Sequence, residues 1–325
     1  MWTGISALWN PPGLRRELRF ERDLQMSSRL RQLLRSAKRT PFGWRFVSNL
    51  EPTMGYLFGN ADKLSPRDQQ IVRDLNAYGV ASISFDDLDT EIEFSALEAE
   101  VEQLVANSGA EIDKLKEADA SIGKKTFNLE MLGSEIAFDP TSIFSRFALS
   151  RSFVNIANAY FKMKTRLRYY NVWYTAATTS NARESQLWHF DREDRLILKV
   201  FVYLRDVDTG SGPFTYAPRT HKKGELRSIS PDHFNEGGVQ RTTDDQMANV
   251  LPRENWQICT GKKGTVIFAD TRGFHKGGEA RTSDRLMFTC MYTSPASESR
   301  KLIRFPEMVD AGQMRRSQRS ALGIV

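Results

Sequence analysis

Helices in the first half and strands in the second predict an α+β chain: a jelly-roll core, the cupin-like double-stranded β-helix, flanked by helices. Three observations carry this. Apolar residues recur at helical spacing up to about residue 161. From Arg166 the period shifts to two, with strands expected at Leu167 to Tyr174, Leu196 to Leu204, Phe214 to Ala217, Gly264 to Ala269 and Arg285 to Tyr292. Three residues with metal chemistry, His189, Asp191 and His275, fall in the strand half.

Taken in order, residues 12 to 38 predict a basic helix with Leu14, Leu18, Leu30, Leu33 and Leu34 as its apolar positions. Pro41, Pro52, Gly55 and Gly59 break any regular element over residues 40 to 65. Ser65 caps and Pro66 opens a helix to about Tyr78, which Gly79 stops. Val80 to Phe85 alternates as a strand. Phe94, Leu97, Val101, Leu104 and Val105 form a helical stripe, with Glu98, Glu100 and Glu102 on the wet side. Residues 141 to 161 read as helix with Phe144, Phe147, Phe153 and Ile156 inward. The simplest division is an N-terminal basic helical extension over 1–65, a jelly-roll domain over 66–297 and a C-terminal tail over 298–325.

Composition narrows the function classes. At 325 residues and 40% hydrophobic the chain can bury a sizeable core. Its mean hydropathy is −0.47, and no run approaches the ~18 apolar residues of a membrane span. The first residues carry no basic segment ahead of their apolar stretch, so a secretory signal is not expected. Two cysteines, Cys259 and Cys290, make no disulfide framework, and a reduced, cytoplasmic setting is the default. Between Leu14 and Arg39 nine Lys/Arg face three acids, an excess equal to the whole formal charge of +6. A solvated helix face is the plainer reading and a docking surface for an anionic partner the sharper one. Nucleic acid is disfavoured, since no aromatic-basic interleaving accompanies the charge. Oligomeric state is left open.

The chemistry lies in Trp188-His189-Phe190-Asp191 and Gly273-Phe274-His275-Lys276-Gly277-Gly278. A His-x-Asp on a strand puts both side chains on one face. A histidine from a late strand completes a 2-His-1-carboxylate set, the ligand pattern of non-haem Fe(II) oxygenases, which leaves positions open for co-substrate and oxygen. The glycines after His275 permit close backbone approach, and a basic residue opens the next strand. On Leu196 to Leu204 one face is aliphatic while the other is Ile197, Lys199, Phe201 and Tyr203. Lys199 either reaches solvent or serves as a cation for an anionic ligand. On the strand before it, Tyr169, Asn171 and Trp173 share a face.

These pieces, with Gly212-Pro213, Ala217-Pro218-Arg219-Thr220-His221 and the arginine ten residues past His275, resemble the phytanoyl-CoA dioxygenase family of Fe(II)/2-oxoglutarate-dependent oxygenases over roughly residues 66 to 295. The resemblance implies His189, Asp191 and His275 as iron ligands. It implies Arg285, rather than Arg281, as the partner of the far carboxylate of 2-oxoglutarate. It turns Lys199, Phe201 and Asn171 toward the co-substrate and gives Trp173 and Tyr169 to the substrate space. His221 is expected to be a turn residue, not a ligand. The family often has Gly-Ser where this chain has Arg219-Thr220. A carboxylate ligand, where halogenating relatives have a small residue, favours hydroxylation. The implied cofactors are Fe(II), 2-oxoglutarate and O2, with ascorbate as an accessory reductant. The implied substrate is a small molecule or a carrier-linked metabolite. A jelly-roll binding protein without catalysis and a keto-acid-independent cupin-type metalloenzyme are the alternatives.

Overall fold

The computed structural model describes residues 40–59, 63–117, 127–232, 234, 240–300, 302–306, 312 and 314–324. The basic helix expected over residues 12 to 38 lies outside them. The chain divides into two compact units, Met1–Leu50 and Glu51–Val325. In the first, Thr40 caps a helical turn, its hydroxyl accepting the Gly43 N–H at 3.0 Å, and Asn49 donates to the Trp44 carbonyl at 2.9 Å.

The second unit holds the fold. Residues 40 to 65 differ from expectation, because α1 (Leu50–Leu57) is helical. Its Pro52 sits in the first turn, where a missing N–H costs nothing. Ser65 caps α2 (Pro66–Tyr78), accepting the Asp68 N–H at 3.0 Å. Gly79 ends it at φ 84, a left-handed conformation that suits glycine. A side chain there would also run into the Tyr216 hydroxyl. Helices α3 (Phe94–Asn107) and α4 (Gly109–Glu117) follow. The helix expected over 141 to 161 is two, α5 (Ile143–Ala148) and α6 (Arg151–Phe161), parted at Leu149 and Ser150.

The strands are β1 (Val80–Ser84), β2 (Asn128–Glu130), β3 (Ile136–Ala137), β4 (Arg166–Thr175), β5 (Leu198–Tyr203), β6 (Phe214–Tyr216), β7 (Gln257–Ile258), β8 (Thr265–Asp270), β9 (His275–Gly277), β10 (Arg285–Thr293) and β11 (Ile303–Arg304). Six of them form the major sheet in the order β1-β8-β5-β10-β4-β2, all antiparallel. β7-β6-β9 form the second sheet. This is the double-stranded β-helix that the period change predicts. The tail expected over 298 to 325 supplies β11, parallel to β3, and the helix α8 (Arg316–Leu322).

Residues directly opposite in a ladder share a face. On the outer face, Phe288 meets Phe147 of α5 and Phe268 meets Phe153 of α6, at ring separations of 5.0 and 5.6 Å. On the inner face, Phe201, Tyr203, Ile267, Ala269 and Met287 form one buried cluster with Phe214 and Tyr216 of the second sheet. The registers place Tyr169, Asn171, Trp173 and Thr175 of β4 opposite Met291, Thr289, Met287 and Arg285 of β10. They place Lys199, Phe201 and Tyr203 of β5 opposite Met291, Thr289 and Met287. Every candidate on these strands therefore faces the jelly-roll interior. Among the described residues no helix is long and apolar enough to cross a membrane.

Candidate metal centre

His189, Asp191 and His275 each bring one ligand atom to within 4.8 Å of the others. His275 opens β9, as expected of a late strand. Residues 188 to 191 do not form the ladder strand expected of them. A 3-10 turn at Glu184–Gln186 precedes them and a charged loop follows. Trp188 makes an isolated bridge with Thr242 and His189 one with His275. Those bridges give the precision a strand would have given: the His189 and His275 backbones exchange hydrogen bonds of 3.0 and 2.8 Å. Asp191 is pinned by its N–H to the Thr271 carbonyl at 2.8 Å and by Arg272, which donates to the Asp191 carbonyl.

The imidazole tautomers follow from the backbone. Nδ1 of His189 lies 2.8 Å from the Leu187 carbonyl and Nδ1 of His275 lies 3.0 Å from the Gly273 carbonyl. A carbonyl only accepts, so each Nδ1 carries the hydrogen and each Nε2 lone pair is free for a cation. Burial pushes the His275 pKa down to about 4. Burial, with His275 next to it, pushes His189 well below the ordinary value. Both rings are neutral at physiological pH. Burial would raise the Asp191 carboxyl, but the Lys199 charge outweighs it and holds the group ionised. Two neutral nitrogens and a carboxylate converging on one point suit a divalent metal.

Lys199 does not reach solvent. Its Nζ lies 2.7 Å from Asp191 Oδ2, with both side chains largely buried. Phe201 packs on Phe214 at 4.6 Å, and Phe214 on the His275 ring at 5.6 Å. Asn171 faces inward, but its Oδ1 accepts the Leu132 and Val172 N–H groups while its Nδ2 donates to the Gly133 carbonyl. Its amide therefore secures the 131–133 turn, with one amide hydrogen left over. Trp173 is half-buried with its indole N–H unpaired among the described residues, and Tyr169 is half-buried beside Lys199.

The two candidate arginines differ sharply. Arg281 donates to the Thr178 and Ser180 carbonyls and pairs with Glu279. Arg285 is 4% exposed, and its only hydrogen bond among the described residues is a 3.3 Å contact from Nη2 to the Thr175 hydroxyl. Its Nε and Nη1 have no partner among the described residues. A buried cation is rarely left without a counter-charge. His221 stands apart from the cluster, its Nε2 3.3 Å from the Asn76 carbonyl.

Sequence reasoning missed three contributors, all in loops or short elements. Asp244, which opens the helix α7 (Asp244–Val250), accepts the Trp188 indole N–H at 2.8 Å and pairs with Lys276 at 2.6 Å. It thus ties together the neighbours in sequence of both histidines. Arg272 and Arg241 are the others. Arg241 lies close enough to depress both histidine pKa values. A capping box, Thr243 with Gln246, was the one available signal for α7. A cleft of about 500 Å³ opens from His189 and Asp191 to the surface, lined by Phe190, Arg192, Glu193, Gln240, Arg241 and Glu298.

A double-stranded β-helix with a His-Asp-His cluster and a buried, unpaired arginine has the form of the Fe(II)/2-oxoglutarate-dependent oxygenases. The sequence profile of the phytanoyl-CoA dioxygenase (PhyH) family matches residues 87–287, and the chain belongs to that family. Its cofactors are Fe(II) and 2-oxoglutarate. No curated protein matches the sequence significantly. Among solved structures, EctD from S. alaskensis with 2-oxoglutarate and 5-hydroxyectoine is 15% identical, with 80% of this chain and 94% of that one covered at a TM-score of 0.48. The epimerase SnoN from nogalamycin biosynthesis is 16% identical, with 70% and 83% covered at 0.43. The carbocyclase SnoK from the same biosynthesis is 17% identical, with 73% and 87% covered at 0.43. Likeness at this level bears on neither substrate nor reaction.

Proposed function

We propose that the chain is a dioxygenase that oxidises, by hydroxylation, a C–H bond of a small-molecule metabolite, with His189, Asp191 and His275 as the iron ligands and Arg285 as the 2-oxoglutarate anchor. The observation that carries this reading is Arg285. It is a buried guanidinium with free donors on the same inner sheet face as Lys199, and a carboxylate is what such a fork pairs with.

With Fe(II) and 2-oxoglutarate bound, the site supplies oxidative decarboxylation, in which O2 is consumed, succinate and CO2 are released and a C–H bond is oxidised. The chain's own residues prepare it. The Leu187 and Gly273 carbonyls fix the tautomers that aim both Nε2 atoms at the metal. Lys199 pairs with Asp191 Oδ2, the oxygen that also lies 3.9 Å from His275 Nε2, and so orients the carboxylate within the cluster. Phe201 and Phe214 wall the inner side and exclude water. Trp173 and Tyr169, on the same inner face, would wall the substrate space. The cleft supports a polar substrate over a long acyl chain, since Phe190 is the one apolar residue lining it among the described residues.

Anaerobic addition of Fe(II) and 2-oxoglutarate to the purified protein is expected to give the weak visible charge-transfer band of the chelate. His275→Ala abolishes the band. Arg285→Gln keeps it but needs on the order of 30- to 100-fold more 2-oxoglutarate, as for truncation of a buried charge pair. Wild-type protein that takes up iron yet shows no band would sink the keto-acid reading and leave a cupin-type metalloenzyme or a binding protein.

A further inference from the structure

A second pocket, of about 330 Å³, lies between α1, α6 and α8 and shares no residue with the metal cleft. The side chains of Tyr56, Asn155, Lys164, Arg316, Ser317 and Ser320 line it. Helix α6 covers the outer face of the major sheet, where Phe153 meets Phe268, whereas the metal cluster opens on the inner face. Whatever fills this pocket does not reach the iron.

The wall is built for an anion. Among the described residues no acid lines it. Asn155 is only 8% exposed, yet its amide makes no hydrogen bond to any described residue. The amide opens onto the pocket, where a ligand can accept from or donate to it. The Lys164 ammonium and the Arg316 guanidinium are likewise unpaired among the described residues, while Arg315 at the rim is engaged by Glu91. Space is made by glycine: a side chain at Gly55 would meet Lys164 Nζ at 3.1 Å. An adjoining groove of about 300 Å³ adds Arg319 and Arg166, the latter donating to the Ser320 carbonyl, with Glu51 the one acid lining it among the described residues.

The structure assigns this pocket as a binding site for a small phosphate ester. The donors come from three helices and from the loop at Lys164, so they converge from several sides. That suits the three terminal oxygens of a tetrahedral phosphate better than the two coplanar oxygens of a carboxylate. The volume exceeds a bare ion and falls at the small end of ligand pockets, so an organic group comes with the phosphate.

The test uses the full chain loaded anaerobically with Fe(II) and 2-oxoglutarate and titrated calorimetrically with glycerol 3-phosphate, with glycerol as the neutral control. Saturable binding of one glycerol 3-phosphate and none of glycerol is expected. Lys164→Gln and Arg316→Gln each weaken binding on the order of tenfold, the loss of one charge-assisted hydrogen bond, with the charge-transfer band unchanged. Among the described residues neither the Lys164 ammonium nor the Arg316 guanidinium has a partner, so the variants keep the fold. Three outcomes would overturn the assignment: no binding, equal affinity in wild type and both variants, or loss of the band on adding glycerol 3-phosphate, which would put the anion at the iron.

Discussion

At the scale of single residues, Asp191 and Lys199 form a pair that neither would tolerate losing. Both are largely buried at 2.7 Å. Removing one partner of a buried ion pair leaves an uncompensated charge, at a cost of about 3 kcal/mol. A bound divalent metal supplies a replacement charge. Lys199→Met is therefore expected to lower the stability of the metal-free protein by about that amount and to lose most of the deficit when Fe(II) is present. Anaerobic urea unfolding with and without iron measures both, and an equal deficit in the two conditions would refute the pairing as the cause. His221 makes a pH prediction. Burial lowers its pKa below the ordinary 6.5, with Lys223 acting in the same sense and Asp270 opposing. The unfolded chain then binds a proton first as pH falls. Stability from this group is complete above about pH 6.5 and drains away below it, by up to about 1.4 kcal/mol per pH unit. His189 and His275 act in the same direction, so the comparison is of slopes: His221→Gln should flatten, not abolish, the acid loss in urea midpoints. The triad residues were legible because few residue types do this chemistry. The role of Asn171 was not, since the turn that occupies its amide is brought to β4 by the three-residue strand β2, too short to show a period.

At the scale of elements, long alternating strands were legible to within a few residues, as β4, β5, β8 and β10 show. What escaped was short or set by tertiary contact. β9 has three residues, the 188–189 bridges are isolated, and β3 and β11 exist only by pairing with each other. Arg219 sits at φ 67, a left-handed position where the family often has glycine. Helix α7 is the element with the largest unannounced role. Its first residue, Asp244, accepts from Trp188 and from Lys276, and so couples the backbone beside His189 to that beside His275. Supporting partners of ligands are typically worth 10–100-fold in metal affinity. Asp244→Ala is expected to weaken Fe(II) binding by roughly tenfold with little change in the far-ultraviolet circular dichroism. Unchanged iron affinity would show that the two histidine segments hold their geometry without this tie.

At the scale of the whole molecule, the sequence marks residues 1–65 as an extension, while the compact unit begins at Glu51 and runs to Val325. The difference is α1, whose Pro52 and Gly55 argue against a helix although tertiary packing overrides them. The other end moves too. β11 pairs with β3, and α8 is docked by Arg315 and Gln318, both donating to the Leu149 carbonyl. The catalytic unit we propose therefore needs its last residues and not its first. Two truncations separate these claims. A chain of residues 50–325, which keeps α1 whole, is expected to unfold cooperatively and to form the charge-transfer band with Fe(II) and 2-oxoglutarate at wild-type concentrations. A chain ending at residue 297 loses β11 and α8, exposing Ala321, Leu322 and Ile303 contacts that are buried in the intact protein. At about 1.5–3 kcal/mol for each large apolar side chain, that loss is a substantial share of the 5–15 kcal/mol by which a domain is held folded. Its urea midpoint should fall well below that of the full chain. If instead the 50–325 chain fails to fold while the 1–297 chain binds iron normally, the boundaries of the catalytic unit are the reverse of those drawn from the structure.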